Sequence, residues 1–251
     1  MDLAQIEVRA ATLENITTAA TNDIVSYAST ILNESPPKVA AQMRVAVPAV
    51  VGTYGEIASV AAADWYETVR PVAGFRAVTA TPTSLSDDLT STLGWALAPL
   101  FTETESDMLT RITGGLIRLV SAFDRDTIDT NVGRDPFAKK SKRVARPDAC
   151  AFCAYLSVNT DNTDEDTKKY HDHCRCYPVP FWDTVGVPRL PYEEAWEAAA
   201  ASARNAIERD YFEKRKLAPD LRKRNFFKKF PETAINRTNI LSRMRVELGI
   251  H

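Results

Sequence analysis

Two short runs, CAFC at residues 150–153 and HDHCRC at 171–176, decide how this chain is read. They hold all four cysteines and two of the three histidines of a 251-residue sequence. A C-x2-C pair turns two sulfurs toward one point about 2.3 Å from an ion. His171 and Cys174, also two residues apart, can supply the other half of a tetrahedron, and Cys176 and His173 are further donors. The best-spaced set is Cys150, Cys153, His171 and one of Cys174 or Cys176. That is a closed Cys3His zinc site with no position left for water. Closed sites hold structure together, so a structural zinc is the expected cofactor and catalysis is not expected.

The segment VNTDNTDEDTKKY at 158–170 is polar and cannot order itself by burial. A metal clamping its two ends would shorten a loop whose closure otherwise costs entropy.

Other uses of the same residues were weighed. Unligated thiols are common in cytosolic chains, but not four beside two histidines. A disulfide needs an oxidising compartment, and residues 1–9 are charged, with no apolar run that would make a secretory signal. A redox C-x2-C would sit in a βαβ pattern, which is missing here. A ββα-metal nuclease could use the Asp172 and His173 pair to activate water, yet the only later histidine is His251 and no second ligand helix follows. No phosphate-binding, zinc-protease, nucleophile-elbow or dinucleotide motif is present.

Composition is that of globular material, 45% hydrophobic and 25% charged. No run approaches the roughly 18 to 20 unbroken apolar residues of a membrane span, so a soluble chain is expected. The net charge of −2 hides an asymmetry: residues 1–130 carry 16 acidic and 8 basic side chains, and residues 204–245 carry 5 and 13. A cationic arm of this kind suits nucleic acid or an acidic protein surface, where a solvated helical face is the plainer alternative.

Along the chain, Leu13, Ile16, Ala20, Ile24, Tyr27 and Ile31 recur at three and four, which predicts a helix over 3–33. Ser35 and Pro36 open a second helix, expected to run to 69 with Val39, Met43, Val47, Val50, Tyr54, Ile57, Ala61 and Trp65 inside and a kink at Pro48. A third helix carries Leu85, Leu89, Leu93 and Leu97, and a fourth over 103–129 carries Met108, Ile112, Leu116 and Leu119, with Gly114 and Gly115 as weak points. Residues 131–147 mix Gly, Pro and basic side chains and form the expected boundary. Short strands are expected at 142–145 and 177–179, then a helix over 192–216, a short helix and a final one over 236–248.

Phe226, Phe227 and Phe230 interleave with Arg222, Lys223, Arg224, Lys228 and Lys229, and Lys214, Arg215 and Lys216 end the preceding helix. These eight cations are the candidate nucleic-acid or partner-binding residues. Three aromatics at helical spacing more often make a core or docking face. The expected fold is mainly α: a helical domain over 1–130, a small α+β zinc-stabilised module over 131–190, and a helical basic arm over 191–251.

The pair CAFC and HDHCRC resembles the signature of the phage Mu F-like minor head proteins, usually a C-x2-C followed by HPNCRC. His171, Cys174, Arg175 and Cys176 match, whereas Asp172 and His173 replace Pro and Asn, which makes His173 an extra potential ligand. YGEIASVAAADWYETVR at 54–70 is similar to a helix of the Mu F-like proteins of actinobacteriophages. The resemblance covers residues 54–176 and implies a structural virion component, present in few copies inside the capsid near the portal vertex, made in the host cytoplasm. It implies the portal protein as partner, with the major capsid or scaffolding protein and packaged double-stranded DNA as further ones, and a part in head morphogenesis, packaging or ejection. The alternative is a zinc-containing DNA-binding or nuclease-like protein. The helices at 36–69 and 236–248 carry apolar stripes with no evident cover, so they are the expected contacts with the portal.

Overall fold

The computed structural model describes residues 1–102, 104–158, 170–182, 186–219 and 221–249. The chain divides into two compact units, Met1–Val144 with Lys168–Pro188, and Ala145–Thr167 with Arg189–His251. Residues 159–169, on which the clamped-loop expectation falls, lie outside the described residues.

The first unit is built on α1 (Leu3–Ile31), α2 (Pro36–Val69), α3 (Leu85–Leu97), the single turn α4 (Pro99–Thr102) and α5 (Glu105–Arg134). Helix α5 packs against α1, α2 and α3, and also against the antiparallel pair β1 (Ala138–Val144) and β2 (Tyr177–Trp182). Each helix start has a local cause. Asp2 and Gln5 form a reciprocal capping box on α1, Thr104 accepts from the Asp107 amide on α5, and Pro36 presets the first turn of α2. Ser35 occupies the cap position of α2 without a side-chain cap bond, and Ser84 spends its hydroxyl on Asp88 at 2.7 Å. Helix α2 continues across Pro48 as one element.

The buried stripe of α1 includes Leu13, Ala20, Ile24 and Ile31 as expected, but closes through Ala28 while Tyr27 is exposed. In α2 the expected stripe holds through Val47 and then slips by one position: Val51, Gly55, Ala58, Ala62 and Tyr66 are buried, and Ile57 is exposed. The helix is apolar on nearly every side over this stretch, so periodicity cannot choose between adjacent stripes. Close approach to α5 chooses instead. A Cβ on Gly55 would meet the Phe123 ring at 2.5 Å, so this position must be glycine. By length and mean hydropathy helix α2 alone among the described helices could cross a membrane, although Arg44, Glu56 and Asp64 interrupt its apolar run, and its buried stripe is packed on α1 and α5.

The far end of α5 continues to Arg134, past the expected stop at 129, because polar side chains on its last turns bond to the connector after α2. Asn131 accepts from the Val78 amide at 2.9 Å and donates to the Val78 carbonyl at 2.8 Å, and Thr127 accepts from the Ala80 amide at 3.0 Å. Next to them Tyr66, Val69, Ile128 and Trp182 form a core cluster, in which the Tyr66 and Trp182 rings meet edge to face at 5.7 Å. Asp135 accepts there from Arg70 at 2.8 and 3.0 Å, from Tyr66 at 3.1 Å and from Trp182 at 3.3 Å.

The second unit consists of α6 (Ala151–Val158), α7 (Glu193–Leu217), α8 (Lys223–Lys229), a 3-10 turn at Pro231–Thr233 and α9 (Arg237–Leu248). Helix α7 packs against α6, α9 and the 3-10 turn. Acidic side chains open α7 and Lys214, Arg215 and Lys216 close it, as the helix dipole favours. Trp196, Ala199, Ala203 and Ile207 meet Ile240, Leu241 and Met244 in its core. Helix α6 is absent from the sequence reading: eight residues around the C-x2-C pair are too few to display a stripe.

The expectation that α2 and α9 lack cover is therefore corrected. The stripe of α2 lies on α1 and α5, and Ile240, Leu241 and Met244 of α9 lie on α7 and α6.

Candidate metal centre

In the first unit, residues 170–176 form a turn fixed against one face of α5. Gly114, Arg118 and Arg125 stand at positions i, i+4 and i+11, so they share that face. The His173 amide donates to the Gly114 carbonyl at 3.1 Å, and a Cβ on Gly114 would run into the His173 ring. The neighbouring Gly115 likewise leaves room for the Thr92 methyl. The two glycines read as weak points in the helix are where close approach requires them. His173 itself has a φ of 61°, a left-handed conformation that is uncommon outside glycine but that histidine takes more readily than most residues.

Arg118 then donates to Asp172 at 2.8 Å and to the Thr92 hydroxyl at 2.6 Å. Arg125 reaches further along, its Nε to the Cys176 carbonyl at 2.9 Å and its Nη2 to the Cys174 carbonyl at 2.7 Å. Between the two cysteines Arg175 points to Glu14 of α1 at 3.0 Å. Downstream, Arg9 donates to the Pro178 carbonyl.

The donors themselves are well defined. The Cys174 and Cys176 thiols are buried and lie within 4.8 Å of one another. The His171 ring is exposed, with Nδ1 2.7 Å from the Asp172 carbonyl. Donation from Nδ1–H to that oxygen leaves Nε2 with its lone pair, the form in which imidazole binds a metal. The Cys174 amide closes the turn on the His171 carbonyl at 3.0 Å.

In the second unit Cys150 and Cys153 sit at the start of α6, also within 4.8 Å of each other, and the Ala154 amide bonds the Cys150 carbonyl at 3.0 Å. A helix N-terminus favours the thiolate form. None of the four cysteines is in a disulfide. Thiols sharing one zinc lie a little under 4 Å apart, given Zn–S bonds of about 2.3 Å. Thiolate with imidazole is the donor chemistry of zinc.

Beside the turn, a cleft of about 660 Å³ is lined by Asp88, Arg118, Arg125, Asp126, Asp129 and Tyr170, among others. The Tyr170 ring lies under Arg125 at 3.6 Å and Arg143 at 4.0 Å. Burial pushes its phenol up to about 12, against the pull of those two guanidiniums, so it stays neutral.

The candidate basic residues separate into two groups. Lys214 pairs with Glu232, Arg215 donates to the Ala218 and Leu221 carbonyls, and Lys216 pairs with Glu213 at 2.7 Å, so these three fasten the end of α7. Arg222, Lys223, Arg224, Lys228 and Lys229 are exposed on and beside α8. Of the aromatics among them Phe226 is core, fully buried edge to face on Tyr211 at 5.3 Å and against Phe230 at 5.1 Å, while Phe227 and Phe230 are half-buried.

Sequence reasoning missed Gly114, Arg118 and Arg125 as parts of the site. The signal was present as one glycine and two arginines on a single helical face, with no means of telling what that face would meet.

No curated protein and no solved structure matches the chain. A family model does, over residues 1–203, a span that contains the whole cysteine signature and points to a phage gene product: the chain belongs to the VG15 protein family.

Proposed function

We propose that the chain is a structural, non-catalytic minor protein of a tailed-phage head, of the Mu F-like type, seated inside the capsid at the portal vertex. In this reading a structural zinc is held by Cys150, Cys153, His171 and one of Cys174 or Cys176. The observation that carries it is the family match over 1–203, which takes in CAFC and HDHCRC together. The half-sets support the zinc: two thiols at the start of α6, and two buried thiols on a turn that α5 holds in place. Four such ligands saturate a tetrahedral zinc, which then contributes folding free energy and offers no open position for water.

The portal contact rests on a different face from the one the sequence suggested. With the inner stripe of α2 covered, its outer line still exposes Val45, Ile57 and Val60 at 73%, 46% and 51%. An apolar helix surface left open suits a protein partner. Co-expression with the phage portal protein, followed by size-exclusion chromatography and proteomics of purified virions, tests the reading. Co-elution and presence in the particle are expected; a chain that stays apart from the portal and is missing from procapsids and virions would overturn it.

A second reading, a zinc-containing DNA-binding or DNA-processing protein, is favoured by the five exposed cations of α8. Duplex binding would weaken with salt at a log-log slope of about −0.9 per phosphate neutralised. Nicking of plasmid DNA by the purified protein would favour processing.

A further inference from the structure

We propose that Arg125 is a positioning residue for the pair Cys174 and Cys176, one of which is a ligand in the zinc reading above, on which this inference rests. Arg125 is 2% exposed and its guanidinium spans the turn like a fork, Nε on the Cys176 carbonyl at 2.9 Å and Nη2 on the Cys174 carbonyl at 2.7 Å. The two cysteines are separated by one residue. In an extended stretch, residues i and i+2 point the same way and the residue between points opposite. Arg175 does point away, to Glu14, so the two thiols are left on one side with their sulfurs within 4.8 Å. Fixing both flanking carbonyls fixes that orientation before any metal arrives.

Charge acts in the same direction. A zinc with three thiolates and one imidazole carries one net negative charge, and burying it is costly unless a cation is close. Arg125 supplies a buried cation held directly to the backbone of the ligand residues. A lysine there would keep the charge but donate from a single nitrogen, without the planar fork that places Nε and Nη2 on two separate carbonyls. Outer partners of metal ligands typically govern affinity by about 10- to 100-fold.

The experiment uses the full chain and two variants, Arg125→Met and Arg125→Lys. Zinc affinity is measured by competition with a chromophoric chelator, cobalt(II) spectra report the ligand field, and melting of the metal-free proteins reports fold. Arg125→Met is expected to weaken zinc binding by about 10- to 100-fold, with loss of thiolate-to-cobalt absorption, and Arg125→Lys to fall between it and wild type. A purely structural arginine would lower the melting of metal-free and zinc-loaded protein together and leave the affinity and the cobalt spectrum unchanged. Affinity within about threefold of wild type in Arg125→Met, with an unaltered spectrum, overturns the proposal while the zinc reading stands. Should Arg125→Met fail to fold, Arg125→Lys decides: wild-type affinity and spectrum in that variant overturn the proposal. Wild-type protein that takes up no zinc overturns both, and does so before any variant is made.

Discussion

In the first unit Arg9 and Asp124 pair at 3% and 4% side-chain exposure, whereas in the second Lys216 and Glu213 pair at 70% and 65%. The first unit has surface pairs as well, Arg76 with Glu67 and Lys38 with Glu34, so what sets it apart is its buried ones. Arg70 and Asp135 are inside, at 5% and 0%, and Arg125 is inside on backbone carbonyls, while Arg189 with Glu197 and Arg243 with Asp210 lie at the surface. The second unit fills its interior with Trp196, Ile207, Phe226 and Met244 instead. An exposed pair contributes about 0 to 1 kcal/mol, but removing one member of a buried pair leaves an uncompensated charge. The first unit is therefore specified by its polar interior, which fixes helix ends, the connector after α2 and the cysteine turn. The second is specified mainly by apolar packing and carries the ion pairs named above near its surface, with Glu193 as a buried carboxylate that accepts from the Leu190 amide.

The largest effect should come from the metal, which would override this contrast. Excess EDTA is expected to lower the melting temperature by more than about 10 °C, since structural zinc binding is folding free energy. Calorimetry with and without chelator, and with zinc restored, checks it. Next, Asp135→Ala should cost about 3 to 5 kcal/mol in urea unfolding and Glu213→Ala less than about 0.5, which sets the buried and exposed pairs side by side. Equal losses from the two would break the comparison.

Acid offers a subtler probe of the same residue. Burial alone would raise the Asp135 carboxyl, but bonds from Arg70, the Phe137 amide, Trp182 and Tyr66 hold it at about 2, below its ordinary 3.8. With the folded value depressed, its stabilisation is complete above about pH 4 and is lost as pH falls toward 2, about 2 kcal/mol in all. Urea midpoints at pH 5 and pH 2.5 should show the loss in wild type, and Asp135→Asn should lack that component.

Gly55→Ala would normally favour a helix by about 1 kcal/mol, but its Cβ would meet Phe123 at 2.5 Å. A net loss of about 1 to 2 kcal/mol is expected, read from the urea midpoint. Smallest of all, replacing Lys228 and Lys229 by Ala should move stability by less than about 0.5 kcal/mol. If DNA is a partner, the same change should reduce the salt slope of binding by about one to two, measured by filter titration.

How much of this was legible in the sequence depends on what each element rests upon. Helix α2 was expected over 36–69 and occupies Pro36–Val69, and the last helix was expected over 236–248 and occupies Arg237–Leu248 under an Asn236 cap. Proline, asparagine and glycine mark those ends locally. What the sequence hid depends on tertiary partners. The slip of the α2 stripe from Ile57 to Ala58 is decided by how closely Phe123 approaches Gly55. The strands, expected at 142–145 and 177–179, pair over Ala138–Val144 and Tyr177–Trp182, because register with a distant partner extends them. At the candidate site, spacing picks out the cysteines and His171 as candidate donors, but the arginines that hold the 170–176 turn lie some fifty residues upstream on α5, where nothing local marks them.

Strand β2 pairs with β1 while containing Pro178 and Pro180, opposite Arg143 and Ser141. Amides alternate in direction along a strand, so the two prolines fall on the same side. The Pro178 carbonyl on that side is taken by Arg9. The edge facing away from β1 thus offers oxygens and no hydrogens at these positions, and β1 for its part carries Lys139 and Lys140 exposed. Tyr177, Pro178, Val179, Pro180 and Trp182 are buried, so that edge of β2 is covered by the chain itself, while the exposed lysines of β1 guard the other side against an incoming strand. Among the described residues the sheet stays at two strands, with one edge buried and the other charged.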